Sequence, residues 1–285
     1  MPRSRPAGRR PASRASGHGL LLRRTPFGET SLVVHVLTPD HGRVELMAKG
    51  AHRPRSRFFG VLDWFDTLDL SWVQRSDSDL GTLREGELLT RRRQLTRSLR
   101  SYRAAQTVIE LTDLVTRAGF SDRGQFVLAE EALDALDQAQ GPPSALLAGF
   151  ELKLLEQLGL APALVTCATC GATAAAVDAT SREPRAPFST AVGGRLCPIH
   201  ANETHASGLR VGTLPVAILE SAQLALSAPL GDLDRANWPA EHSIRVLDFA
   251  GRFLDHHLEA RPKSHARFLA APDRNRRTAP SPDTP

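Results

Sequence analysis

Residues 32–37 read Leu-Val-Val-His-Val-Leu, and residues 38–42 read Thr-Pro-Asp-His-Gly. A run of β-branched residues that ends in such a turn sequence is typical of a β-hairpin, so two adjacent strands are predicted here. The second strand shows the alternation of a half-buried strand, with apolar side chains at Val44, Leu46 and Ala48. The start of the folded chain is therefore predicted to be a β domain.

The same alternation recurs downstream at Leu68, Leu70 and Trp72, and a further strand is predicted at 80–85 after a turn near 77–81. Counting from residue 20 to residue 90 gives about five short strands, which is the number expected of a small β-barrel. An SH3-like barrel and an OB-fold fit this count equally well. The sequence pattern alone leaves these two barrels open.

From about residue 96 the apolar period becomes helical, which predicts an α-helical domain over 91–163 and 206–271. Gly119 and Gly159 are expected to end two helices, and Asp122 with Gln125 resembles a capping box at the start of another. The apolar stripes of these helices are expected to form core. The chain is thus predicted to be an α+β protein with more than one domain.

The three cysteines of the chain and one histidine form two pairs of equal spacing. Cys167 and Cys170 form a CxxC, and Cys197 and His200 form a second pair after a linker rich in Gly, Ala, Thr and Pro. Two such knuckles can close a tetrahedral zinc site, so we expect a structural Zn²⁺ in a ribbon-like module at 164–205, inserted in the helical domain. His205 is an alternative fourth ligand, and free buried cysteines are the alternative to a metal.

Two basic clusters flank the second half of the predicted barrel. Arginines with adjacent aromatic rings suit a groove for single-stranded nucleic acid, where Arg pairs with phosphates and rings stack on bases. Phe58 and Phe59 directly follow the first cluster. Ordinary solvated loop and helix surfaces are the alternative. The predicted DNA contacts are Lys49, Arg53, Arg55 and Arg57, which form the first cluster, and Arg91, Arg92 and Arg93, which form the second.

The formal net charge of the 285-residue chain is +5, and residues 1–19 carry five arginines and no acid. Without that segment the net charge is zero, so a basic surface has to come from local clusters. Residues 1–19 and 272–285 are expected to be disordered tails. The first is either a nucleic-acid-binding arm or the product of an overlong start. No run approaches the ~20 apolar residues of a membrane span, and we expect a cytoplasmic protein.

Motifs of enzymes are scarce in the sequence. It contains no glycine-rich phosphate loop, no GxSxG and no HExxH. Asp255-His256-His257 is the one acid–base string, but adjacent residues on a helix point about 100° apart and do not converge on one metal. We therefore expect no enzyme. A metal-dependent phosphoesterase that uses this string is kept as a remote hypothesis.

Several stretches in order along the chain resemble the bacterial RecO family. At the amino end these are residues 28–30, 38–43, 48–51 and 53–58, and at the carboxyl end residues 261–264 and 267–269. The cysteine pairs also lie where members with a zinc module carry theirs. Two features depart from the family pattern. Some members use four cysteines where this chain offers His200, and the Arg-rich residues 1–19 are additional.

The resemblance implies an N-terminal OB-fold and a helical domain with an inserted zinc element. It also implies a non-enzymatic DNA repair mediator, nucleoid-associated, that binds single- and double-stranded DNA and anneals complementary strands. With RecR, such proteins help to load RecA onto DNA covered by single-stranded-DNA-binding protein, and they dock on the acidic, Phe-ended tail of that protein. The alternative is a zinc-ribbon and OB-fold adaptor that binds a protein or RNA without annealing.

Overall fold

A computed structural model of the chain describes residues 12–75, 79–174, 176, 180–234, 238, 240–260 and 262–270. A β-barrel is followed by three helices, a small sheet with a short helix, and then the remaining helices. This order confirms the predicted α+β class.

Five strands form the barrel, and it is closed in the order β1-β2-β3-β5-β4. The first strand pairs with both β2 and β4, and β3 pairs with β5 in parallel. An SH3-like barrel has no such parallel pair, so this topology decides for the OB type. The strands are β1 (Ala12–Phe27), β2 (Ser31–Thr38), β3 (Gly42–Ala48), β4 (Thr67–Arg75) and β5 (Leu80–Thr90).

The predicted hairpin is formed by β2 and β3, and its inward residues are buried in the barrel. Val34 and Val36 of β2 and Leu46 of β3 have no exposed surface. The turn is held by Thr38, whose Oγ1 donates to the carbonyl of Gly42 at 3.0 Å and accepts the N–H of His41 at 3.0 Å. This local patterning and turn chemistry explain why the hairpin is readable from the sequence.

The prediction of a disordered tail over 1–19 is wrong for residues 12–19. These residues form the first half of β1 and pair with β4 in unbroken antiparallel register, from Ala12 opposite Arg75 to Gly19 opposite Leu68. Small and polar residues fill this half-strand, so it shows no apolar alternation, and its pairing partner lies about fifty to sixty residues further along the chain. Gly19 is required there, because a Cβ would approach Cγ1 of Val36 to 2.3 Å. Residues 1–11 and 272–285 lie outside the described residues.

Helices occupy most of the chain after residue 98. The N-cap half of the predicted capping box is confirmed, since the side chain of Asp122 accepts the N–H of Gln125 at 3.1 Å, whereas Oε1 of the buried Gln125 has no hydrogen-bond partner among the described residues. Gly159 follows a helix with φ +72°, as predicted. The described helices are α1 (Leu99–Val115), α2 (Arg123–Gln138), α3 (Ser144–Gln157), α4 (Pro198–Ala206), α5 (Val216–Ser227), α6 (Leu230–Leu233), α7 (Ala240–Leu258) and α8 (Lys263–Leu269).

The sequence pattern predicts that Gly119 ends the first helix, and this prediction is wrong. Helix α1 stops at Val115, and the following loop turns back onto the barrel, where the N–H of Gly119 donates to the carbonyl of Arg43 at 3.3 Å. Gly42 sits against the backbone of Phe120 so closely that a Cβ would meet its carbonyl oxygen. The loop therefore serves as a clamp between barrel and helices.

One hydrophobic core joins the barrel to the helices. Leu20, Leu37 and Phe65 of the barrel pack in the same cluster as the buried faces of α1, α2, α3, α5 and α7. Helix α3 lies at the centre of this core and buries nearly all of its residues. None of the described helices is long and apolar enough to cross a lipid bilayer.

A three-stranded sheet follows α3, in the order β7-β6-β8. Its strands are β6 (Arg185–Ser189), β7 (Gly194–Arg195) and β8 (Gly212–Pro215), so the sheet continues past residue 205, the predicted end of the zinc module. Phe188 of β6 packs edge to face on Phe249 of α7, with ring centroids 5.3 Å apart. This contact ties the insert to the main core.

Candidate metal centre and nucleic-acid surface

The two knuckles predicted from the sequence come together in space. Four residues each offer one donor atom, and these atoms all lie within 4.8 Å of one another: Cys167, Cys170, Cys197 and His200. Nδ1 of His200 is 3.1 Å from Sγ of Cys197 and 3.6 Å from Sγ of Cys167, so Nδ1 is the nitrogen that faces the sulfurs. Among the described residues this is the only group of three or more potential ligands so placed.

Local structure positions each pair. The first knuckle is a tight turn in which the N–H of Gly171 donates to the carbonyl of Cys167 at 2.8 Å. Cys197 is the N-cap of α4, with Pro198 at the first helical position, so His200 projects from the first turn of that helix. Proline is favoured at this position because its missing N–H would have no partner there.

Electrostatics favours the thiolate form of Cys167 and Cys197. For Cys170, the backbone contact with Ala172 lowers the pKa, but burial and the neighbouring sulfurs outweigh it, so that pKa is raised. Burial alone raises the pKa of Cys167, but backbone N–H groups, the first of them from Cys197, outweigh it and lower that pKa to about 6. The hydrogen bond with Cys197 raises the pKa of His200, and backbone and side-chain contacts of His200 lower the pKa of Cys197. Thiolates are the form in which cysteine binds metals.

These donors fit a structural zinc ion. In a tetrahedral site with Zn–S bonds of about 2.3 Å, neighbouring donors lie about 3.8 Å apart, which is compatible with four atoms within 4.8 Å. Nε2 of His200 lies 3.7 Å from a carboxylate oxygen of Glu203, the kind of contact that orients a ligating imidazole. His205, the alternative ligand, is exposed on α4 and is not part of the group.

The acid–base string at 255–257 lies near the end of α7. The rings of His256 and His257 meet edge to face at 4.9 Å, and His257 packs on Phe253 at 4.4 Å. The three residues are not among those that could share a metal ion. Burial lowers the pKa of His257, which favours its neutral form.

The first basic cluster lies on the long connection between β3 and β4. Lys49, Arg53, Arg55 and Arg57 are all exposed. The connection is a series of tight turns, and its start is fixed to the β1–β2 turn, because the N–H of His52 donates to the carbonyl of Thr30 at 2.9 Å. The four cations therefore stand on a structured edge of the barrel.

The two phenylalanines of this connection differ in burial. Phe58 belongs to the barrel core and is 5% exposed, whereas Phe59 is 77% exposed. Arg57 anchors the loop, since its Nη1 donates to the carbonyl of Arg84 at 2.8 Å and its guanidinium lies 5.6 Å from the ring centroid of Phe58. Phe59 is thus the ring available for stacking.

The second cluster is divided by burial, and Arg92 points inward. Arg92 is 4% exposed, its Nε lies 2.6 Å from Oδ1 of Asp134, and its Nη2 lies 3.5 Å from Oε1 of Glu130. Its Nη1 donates to the carbonyl of Phe65 at 2.6 Å. Arg92 is therefore a structural link between barrel and α2, and we remove it from the predicted DNA contacts.

Arg91 and Arg93 are both exposed, and they differ in their contacts. Nε of Arg91 pairs with Oδ2 of Asp66 at 3.1 Å, and its Nη2 donates to the carbonyl of Gly60 at 2.7 Å. Arg93 is exposed at the start of the short turn that precedes α1. Both remain proposed contacts with DNA.

Two features escaped the sequence analysis. Phe27, at the end of β1, is 58% exposed and pairs with Ser31, whose Oγ accepts the N–H of Gly50. It therefore stands at the same end of the barrel as the first cluster. The exposed ring next to the Gly28 turn was a signal that could have been used.

The second feature is a groove of about 960 Å³ between the small sheet and α7. Its lining is apolar at Ile218 and Phe249. Four arginines from distant parts of the chain also line it, which is why no run in the sequence reveals it: Arg185, Arg210, Arg245 and Arg252.

Comparisons with known proteins cover both halves of the molecule. The family model described as "Recombination protein O N terminal" matches residues 13–92, and that described as "Recombination protein O C terminal" matches residues 97–266. The chain belongs to the RecO family. The N-terminal match begins inside β1, in the half-strand that the sequence analysis had assigned to a tail.

Curated relatives carry the name DNA repair protein RecO. The RecO protein of Anaeromyxobacter dehalogenans is 34% identical over 260 residues, which cover 90% of this chain and 96% of that protein. The RecO protein of Symbiobacterium thermophilum is 30% identical over 242 residues, covering 85% and 88%. That of Myxococcus xanthus is 31% identical over 251 residues, covering 86% and 93%.

Proposed function

We propose that this chain is a non-enzymatic DNA repair mediator that binds single- and double-stranded DNA and anneals complementary strands. With RecR, it would help to load RecA onto DNA covered by single-stranded-DNA-binding protein, in the cytoplasm at the nucleoid. The observation that carries the proposal is the exposed, structured loop of four cations and Phe59 on an OB-type barrel, in a chain of the RecO family.

The loop suggests how pairing is promoted. Arginines that bind the phosphates of two strands reduce the repulsion between them, and they leave the base edges free to pair. Phosphate contacts carry no sequence information, so binding is expected to be independent of sequence. Counterion release then makes the affinity fall steeply as salt rises.

The metal centre has a supporting part in this proposal. Cys167, Cys170, Cys197 and His200 would hold zinc, which joins the two knuckles as a four-ligand structural site. The second knuckle lies beside β6, because the N–H of Leu196 donates to the carbonyl of Pro187 at 3.0 Å, and β6 and β8 form one wall of the groove beside α7.

That groove is the proposed docking surface for the acidic, Phe-ended tail of single-stranded-DNA-binding protein. Glu183 pairs with Arg185 at 3.4 Å and with Arg245 at 3.0 Å, and Asp248 pairs with Arg252 at 2.8 Å. Four arginines beside these two acids leave an excess of positive charge around an apolar floor. A peptide with carboxylates and one large apolar side chain matches both properties.

Docking is tested with a labelled tail peptide in a fluorescence anisotropy titration. We expect Arg245→Glu to weaken binding about tenfold or more, because it reverses a rim charge. Arg123→Glu is the matched control, since Arg123 is 78% exposed on α2, outside the groove. Equal affinities for the two variants would remove the groove from the proposal.

The whole proposal is tested by annealing of complementary oligonucleotides covered with the cognate single-stranded-DNA-binding protein. We expect faster annealing with the chain than without it, and an affinity for DNA that falls with salt. An unchanged annealing rate would contradict the mediator function. Binding of RNA or of the tail peptide without annealing would instead support the adaptor alternative.

A further inference from the structure

The four residues of the metal centre differ in their access to solvent. Cys167 is 1% exposed, whereas Cys170 is exposed at the tip of the first knuckle. Gly171 follows with φ +72°, and a Cβ placed on it would meet no atom within 4 Å. The tip of the knuckle is therefore open to solvent at Cys170 and Gly171, and a small solute can reach it.

The thiol of Cys167 lies close to the sulfur of Cys170. The turn between Cys167 and Cys170 is closed by backbone hydrogen bonds, from Gly171 to Cys167 and from Cys167 to Ala172, both at 2.8 Å. The sulfurs of the knuckle belong to the group whose ligand atoms lie within 4.8 Å of one another. A disulfide needs about 2.05 Å between sulfurs, and small rotations of side chains on one turn supply that approach.

We propose that Cys170 is an oxidation site for peroxides, and that a Cys167–Cys170 disulfide formed there releases the zinc ion. The Cys170 thiolate attacks one peroxide oxygen, the O–O bond breaks, and hydroxide leaves, which converts the thiolate to a sulfenic acid. The Cys167 thiolate then attacks that sulfur and displaces a second hydroxide. The two thiolates lose two electrons in total, and the peroxide gains them.

Loss of these two ligands leaves Cys197 and His200, which are too few to retain zinc in a structural site. Among the described residues, the apolar cluster around the knuckles has four buried members, Cys167, Ala174, Leu196 and Ala201, so a bound metal would supply much of the local stability. Strand β6 stays anchored, because Phe188 packs on Phe249 and Phe253. Oxidation is therefore expected to loosen the knuckles and α4 without unfolding the barrel.

The inference is tested on the zinc-loaded full-length chain, without DNA or partner. After confirmation of bound zinc, hydrogen peroxide is added, and released zinc is followed with a chromogenic chelator. Peptide mass spectrometry identifies the oxidised cysteines. We expect zinc release together with a Cys167–Cys170 bridge, reversed by a dithiol and added zinc. Retained zinc, release without a disulfide, or a bridge that includes Cys197 would overturn the proposal.

Two matched variants separate the knuckle from the metal site as a whole. Cys170→His keeps four zinc donors but removes the disulfide, so its zinc release is expected to be about tenfold slower. Cys197→His also keeps four donors and leaves the Cys167–Cys170 pair intact, so peroxide is still expected to form the Cys167–Cys170 bridge and to release zinc from it. Equal sensitivity of both variants would contradict the proposal. If either variant fails to bind zinc, the disulfide mapping on the unmodified chain decides.

Discussion

The two arginine clusters of the barrel look alike in the sequence and differ in the structure. In the loop between β3 and β4, Arg53 and Arg55 reach solvent with no acid beside them among the ion pairs of the described residues. At the end of β5, Arg92 is buried against Asp134 and Glu130. The first cluster is a surface, and the second contains a joint between two parts of the molecule.

What separates the clusters is the position of their acids. Asp134 and Glu130 lie on α2, about forty residues after Arg92 in the sequence. The fold places both carboxylates beside Arg92. A run of basic residues therefore indicates a binding surface only when the fold places no carboxylate from a distant part of the chain beside their charges.

The largest effect is expected for Arg92→Ala. Removing a buried cation from its carboxylates and from the carbonyl of Phe65 should lower the free energy of unfolding by about 3 kcal/mol. Chemical denaturation measures this loss. Its exposed neighbour supplies the control, since Arg93→Ala should change stability by less than about 0.5 kcal/mol. Equal stability of the two variants would mean that Arg92 does not join barrel to helix.

The second effect concerns the affinity for DNA, with a local cost at Arg57, whose hydrogen bond to the carbonyl of Arg84 is lost. The triple change of Arg53, Arg55 and Arg57 to Ala should weaken binding of single-stranded DNA about 100-fold at moderate salt and make the salt dependence shallower by about two ion equivalents. Fluorescence titration across salt concentrations measures both. Changing Arg117, Arg123 and Arg182 to Ala removes the same charge from exposed sites elsewhere. If that control loses as much affinity, net charge and not the loop governs binding.

A third experiment compares the two neighbouring phenylalanines. Phe59→Ala should weaken binding of single strands about tenfold through loss of one stacked base, with duplex binding and stability unchanged. Phe58→Ala should instead destabilise the barrel by about 3 kcal/mol, because its ring is buried. Thermal melts and titrations of both variants check this. If Phe59→Ala leaves the affinity for single-stranded DNA unchanged, the loop binds DNA through the phosphates alone and not through stacking on this ring.

The smallest effect is expected for Arg91→Ala. Arg91 is partly exposed and pairs with Asp66, so its loss should cost about 1 kcal/mol of stability. Affinity for DNA should fall about twofold, as for one weak phosphate contact. A stability loss as large as that of Arg92→Ala would extend the buried joint to Arg91.

Features that depend on short stretches of sequence were predictable. The β2–β3 hairpin follows from the alternation around Val34 and Leu46 and from its turn, and the four metal ligands follow from the spacing of two knuckles. Features made by distant segments were not. The first half of β1 has small residues and a partner in β4, and the burial of Arg92 depends on α2. The groove beside α7 collects arginines from four separate positions.

The long first strand also governs the order in which the barrel can be completed during synthesis. Ala12–Phe27 pairs with β2, which follows at once, but also with β4, and β3 pairs with β5. The hairpin of β2 and β3 can form early, while the first half of β1 has no partner until Thr67–Arg75 has been translated. The nascent barrel thus passes through an open stage with unpaired strand edges, the stage at which high contact order slows folding and exposes a chain to aggregation.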